Sequence, residues 1–117
     1  ATLSFVSIYQ LGAALSYLDH IGLHRIEKHT VRLAAELRQG LADLGFRLFT
    51  PEGNASSIIA FFHSKPYKEA SEILKAARIQ VSIRGENRSQ IRVAPALFNN
   101  SSDIHHFLDA AKKLKTA

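Results

Sequence analysis

Between residues 79 and 93 the chain alternates twice around a basic turn, and few folds satisfy that pattern. Ile79, Val81 and Ile83 fall on one face of a first segment, and Ile91 and Val93 fall on one face of a second. Strand residues point to opposite faces in turn, so each segment buries one side and leaves the other to different chemistry. Arg92 must therefore point away from the side that buries Ile91 and Val93. Arg84 ends the first segment, and Arg88 sits at the tip between the two. Two or three guanidiniums are thus expected on a sheet edge or exposed face. There their planar forks suit a carboxylate or a phosphate.

The remainder fills in a layered domain. Phe5, Ile8, Leu11, Ala14, Leu15 and Leu18 recur at helical steps and predict an amphipathic helix over 3–20, with Gly22 to end it. Leu23, Ile26, Thr30, Leu33, Leu37, Leu41 and Leu44 form a stripe over 23–44. The stripe is too short for a coiled coil and suits a helix packed on a sheet. Residues 46–49 read as a short strand, 50–54 as a turn, and 57–62 (SIIAFF) as a buried central strand. A helix is expected from Ser64, with Ala70, Ile73, Leu74 and Ala77 inward. Strands follow at 79–83 and 89–94. Asn100 then reads as an N-cap, with Asp103 three residues on, for a last helix that buries Ile104, Phe107, Leu108, Ala111 and Leu114. The expected fold is α+β. A small antiparallel or mixed sheet is covered on one face by helices and preceded by two helices, in a single domain over 1–117.

Bulk properties narrow the functions. The chain has 117 residues and no cysteine, which removes disulfides, thiol nucleophiles and cysteine-based zinc sites. The lack of cysteine is compatible with a cytoplasmic setting, which is the localisation expected. No run approaches the roughly 20 apolar residues of a membrane span, and no basic-apolar leader opens the chain. No membrane partner is expected. The chain starts abruptly at Ala1, which suggests a piece of a longer protein. A formal net charge of +5 permits an anionic partner. A nucleic-acid module is one alternative, but no strand interleaves exposed aromatic and basic residues as base stacking requires. A structural or oligomerisation domain, pairing through the N-terminal helices, is another.

The remaining candidates are weak. His20 and His24 have metal-ligand spacing, but Gly22 lies between them; His105 and His106 diverge on a helix. No metal site is expected. Lys65 follows a strand and opens a helix, which is the setting of a structural residue.

The motifs Ile83-Arg84-Gly85, Ile91-Arg92-Val93-Ala94-Pro95, Leu97-Phe98-Asn99-Asn100 and Asp103-Ile104 together resemble the C-terminal segment of aminotransferase class V. That family of fold type I pyridoxal-phosphate-dependent enzymes includes cysteine desulfurases, selenocysteine lyases and isopenicillin N epimerase-like proteins. Gly12-Ala13-Ala14-Leu15, Tyr17-Leu18, Ile21-Gly22-Leu23 and Ile26 resemble the family's helix pair after the cofactor domain. The resemblance implies that the chain is the C-terminal small domain, with residues 1–21 linking to a missing large cofactor domain. It implies that Arg92 binds the α-carboxylate of an amino-acid substrate, with Arg84 a second basic position beside it. A homodimer is implied as well. In the family a Thr before the helix pair reaches the cofactor phosphate of the neighbouring subunit, which makes Thr2 a candidate cofactor contact. Desulfurases hold a Cys in the loop matching 85–90; here stand Glu86, Asn87 and Arg88. Persulfide chemistry by that route is excluded, which favours an aminotransferase, epimerase or other lyase. The resemblance places the cofactor lysine upstream of residue 1, so no catalytic residue, no bound pyridoxal phosphate and no activity are expected in this chain alone.

Overall fold

A computed structural model describes residues 4–115. Four helices and three strands follow in the order α1 (Phe5–Ile21), α2 (Leu23–Asp43), β1 (Ile59–Phe62), α3 (Tyr67–Ala76), β2 (Ser82–Arg84), β3 (Gln90–Val93) and α4 (Ser101–Lys115). The sheet is antiparallel throughout, in the order β1-β3-β2. The fold is therefore the expected α+β arrangement, and its strand topology settles the antiparallel alternative.

The core lies on one face of that sheet. Ile59 and Phe61 of β1 and Ile91 and Val93 of β3 turn inward. They meet Leu33, Leu37 and Leu41 of α2, Ala70 and Leu74 of α3, and Ile104, Phe107 and Leu114 of α4. Phe61 is the hub: its ring stands edge-on to Phe46 at 4.9 Å and to Phe107 at 6.1 Å, the T-shaped geometry that aromatic quadrupoles favour. Asn100 caps α4 as its sequence promises. Its Oδ1 accepts from the Asp103 amide at 3.1 Å, and its own amide donates to Asp103 Oδ2 at 3.0 Å.

Several elements depart from the sequence reading. β1 is not the central strand; β3 is, with β1 beside it. Residues 46–49 form no strand among the described residues but an isolated bridge, Leu48 to Phe61. Ile79 and Val81 pack half-buried against the core ahead of the ladder, which begins only at Ser82. The reason lies in how α3 ends. Arg78 takes a left-handed φ of 59°, its amide bonds Lys75 O and that of Ile79 bonds Leu74 O. This C-terminal wrap turns the chain before it can pair. At the other end of α3, Pro66 rather than Ser64 is the N-cap.

The first helix forms where expected and ends at Gly22, but its apolar stripe is uncovered. Gly22, at φ 98°, separates α1 from α2 and places His20 and His24 on different helices. Phe5, Ile8, Leu11 and Leu15, the apolar stripe of the predicted helix, are all exposed, as is Leu23 at the start of α2. Only Leu18 is half-buried from the predicted face. The radius of gyration, 16.8 Å, exceeds the roughly 13 Å of a compact domain of this length because α1 extends from the body.

Candidate functional site

Among the described residues, no helix lies over the other face of the sheet. Cross-strand pairing places Arg92 opposite Ala60 on one side and Ser82 on the other, and Gln90 opposite Phe62 and Arg84. Directly paired residues share a face, so Ala60, Phe62, Ser82, Arg84, Gln90 and Arg92 form one surface. Arg92 is half-buried there on the central strand, while Ile91 and Val93 beside it are buried on the opposite face. Its neighbour Ala60 is small and leaves room along the guanidinium's stem. Arg84, exposed at the end of edge strand β2, is the diagonal neighbour of Arg92. Such neighbours stand roughly 7–8 Å apart, within reach of one small ligand.

Neither guanidinium has a hydrogen-bond or ion-pair partner among the described residues. A cleft of about 500 Å³ adjoins Arg92; Arg78, Gln80, Ser82, Asn99 and Asp103 also line it, whereas Arg84 stands outside it. The turn after β3 is fixed by Asn99, whose Oδ1 accepts from Ala96 N at 2.8 Å and whose carbonyl accepts from His29 Nε2 at 2.7 Å. The turn that follows the strand carrying Arg92 is thus tied to α2. The arrangement offers two unpaired, donor-only forks on a backbone frame that is already ordered, which is the chemistry of a carboxylate or phosphate grip.

The third arginine does not join them. Arg88 lays its guanidinium over the ring of Tyr67, the first residue of α3, at 4.3 Å. Its loop is tightly wound: Gly85, Asn87 and Arg88 have φ of 88°, 57° and 52°. For Arg88 the left-handed backbone costs about 1–2 kcal/mol, while Asn87 tolerates it better, so neighbouring contacts must hold Arg88 there. Lys65 pairs with Glu69 at 3.3 Å. Thr2 lies outside the described residues.

Sequence reasoning missed two features here. Phe62 is not buried in an apolar strand but stands on the open face. Arg47 covers it at 4.0 Å, and Phe49 meets it edge-on at 5.7 Å. One aromatic of that run is therefore outward beside a cation, where none was expected. His63 is the other: it is buried, and its ring bonds the Arg88 carbonyl. No local pattern marked either residue.

The family model for Aminotransferase class-V matches residues 1–107. The chain belongs to the aminotransferase class-V family. It is 30% identical over 115 residues to the uncharacterized aminotransferase YcbU of Bacillus subtilis (strain 168), covering 97% of this chain and 30% of that protein. Among solved structures it is similar to the cysteine desulfurase CsdA of Escherichia coli, with a TM-score of 0.80 at 22% identity, over 97% of this chain and 31% of that one. The apo cysteine desulfurase of Thermococcus onnurineus NA1 gives a TM-score of 0.76 at 23% identity, over 89% and 29%. These two likenesses establish a shared fold. The chain spans about a third of the length of the proteins it matches.

Proposed function

We propose that this chain is the small C-terminal domain of a longer pyridoxal-phosphate-dependent enzyme, in which Arg92 holds the α-carboxylate of an amino-acid substrate and Arg84 stands beside it. The observation that carries the reading is Arg92 itself. It projects from the central strand onto the open face and has no partner among the described residues. An unpaired guanidinium on an ordered strand suits a ligand that brings its own negative charge.

When bound, pyridoxal phosphate supplies an electron sink for bonds broken at the substrate's α-carbon. The strands present two guanidiniums and no lysine on the open face, and Lys65 is tied to Glu69 at the start of α3. These residues fit the carboxylate of a substrate, not the attachment of the cofactor, which falls to the larger part of the enzyme. Arg92 donates to the carboxylate through a two-point fork. Two points fix rotation about the carboxylate axis and so fix which α-carbon bond is presented for reaction. Closure of the open face against the cofactor-bearing part would exclude water and strengthen the grip. The uncovered apolar α1 links the two parts. A cytoplasmic homodimer completes the reading.

The lack of any cysteine favours transfer, epimerisation or lysis of an amino acid over desulfuration by a loop thiol. The test is Arg92→Ala in the full-length enzyme. Loss of a charge-assisted, two-point contact should raise KM for the amino acid about 10- to 100-fold. An unchanged KM removes Arg92 from the site.

A further inference from the structure

The carboxylate grip leaves His63 unexplained. It follows β1 directly and continues that strand's alternation, so its ring turns inward beneath the sheet and is 8% exposed. Its Nε2 lies 2.8 Å from the backbone oxygen of Arg88. A carbonyl only accepts, so Nε2 carries the hydrogen and donates it. Nδ1 is buried with no partner among the described residues. A buried polar atom without a partner is unfavourable, and a leucine would occupy much of the same space without one. The advantage of histidine here must lie in what Nε2 holds.

What it holds is the most contorted point of the loop. Arg88 and Asn87 both have left-handed backbone without glycine's freedom. Two further contacts converge there. The His63 amide donates to Ser89 O at 2.9 Å, one step past the Phe62–Gln90 pair, and Tyr67 underlies the Arg88 guanidinium. The ladders that these contacts terminate are short: β1 pairs with β3 over four residues and β2 with β3 over three. A slip of one residue would turn Arg92 to the inner face.

We propose that His63 is a positioning residue for the substrate carboxylate. Its bond to Arg88 locks the 85–89 loop and the register of β1 on β3, and so keeps Arg84 and Arg92 on one face at a fixed spacing. The inference rests on the carboxylate-grip reading given above.

The test uses the full-length enzyme with His63→Leu, which keeps apolar bulk and removes the donor, and His63→Gln, whose amide nitrogen carries a hydrogen close to the Nε2 position. Steady-state kinetics with an amino-acid substrate are read beside amide hydrogen exchange over residues 85–90. In His63→Leu, KM should rise about tenfold with kcat within about twofold, and exchange in the loop should accelerate. His63→Gln should restore both. A merely structural role would lower thermal stability without that split between KM and kcat, and would overturn the proposal. Arg92→Ala, run alongside, separates two failures. If it raises KM while His63→Leu does not, His63 has no positioning role and the grip stands. If neither variant moves KM, the grip itself is wrong, and this proposal falls with it. Should His63→Leu not fold, Tyr67→Leu decides, since Tyr67 is 43% exposed and its loss frees Arg88 alone. A KM rise of about threefold with faster loop exchange supports the lock; an unchanged KM overturns it.

Discussion

The two faces of this sheet are made from the same strands and answer to different demands. On the closed face, Ile59, Phe61, Ile91 and Val93 meet three helices. On the open face, Ala60, Phe62, Ser82, Arg84, Gln90 and Arg92 meet none among the described residues. β3 serves both on alternate residues, which teaches where the placement of Arg92 comes from. Ile91 and Val93 anchor the strand in the core, and the pleat then fixes the direction of the guanidinium between them. An arginine on a free loop would have to be ordered when ligand arrives; this one has its backbone ordered beforehand.

The sharpest way to break that division is Phe61→Ala. Phe61 is fully buried between Phe46 and Phe107, so truncation removes a large apolar group and leaves a cavity. Stability should fall by about 3–5 kcal/mol, measured by urea unfolding of the chain. A loss below about 1 kcal/mol would mean that the closed face is not a packed core. Arg92 makes the opposite case. Arg92→Ala should leave stability within about 0.5 kcal/mol, because the guanidinium contacts no partner among the described residues. Its effect should fall on substrate KM instead. Arg92→Lys sharpens the point: the charge stays and the fork is lost, so only part of the affinity should return. Full recovery with lysine would mean that charge alone, without two-point geometry, governs the contact.

The same contrast explains what was legible in the sequence. β3 could be read because its outward positions, Gln90 and Arg92, are polar while its inward ones are apolar. β1 could not, because its outward positions are Ala60 and Phe62. Apolar residues on both faces look like a strand buried on both sides, and periodicity has no means of distinguishing them. The cover over Phe62 comes from Arg47 and Phe49, in a stretch that has strand composition but makes only a bridge. In α1 the stripe was legible, but a pattern records an apolar face without recording what covers it. Arg88 was placed at the hairpin tip correctly, yet its partner Tyr67 lies on another element, where no spacing rule reaches. His63 gave no signal at all, as a lone histidine after a strand has many uses.

A smaller effect probes the joint between the two faces. Asn100 and Asp103 cap α4 by reciprocal bonds immediately after the turn that leaves β3. Asn100→Ala removes the side-chain acceptor and should cost about 1 kcal/mol by chemical denaturation. The loss should appear on the closed face, where α4 packs, with KM for the substrate unchanged. A shift in KM would show that the turn transmits strain to Arg92, and the faces would not be independent.

The smallest expected effect tests whether the open face has any packing of its own. Arg47 sits over Phe62 at 4.0 Å, and Phe49 closes the ring's edge at 5.7 Å. Arg47 is exposed and Phe62 half-buried, so water screens the contact, and cation–π pairs in that setting contribute about 0.5–1 kcal/mol. Arg47→Ala alone would mix this contact with lost coverage of the ring by the arginine stem. A double-mutant cycle with Phe62→Leu isolates the pairwise part, which should come out near 0.5 kcal/mol. A coupling of zero would leave Arg47 unheld, a third guanidinium on the same side as Arg84 and Arg92. Added sulfate should then stabilise the wild type more than Arg47→Ala, since an unheld cation is free to take an anion. A measurable coupling assigns Arg47 to the aromatic ring and leaves the anion grip to the two arginines on the strands.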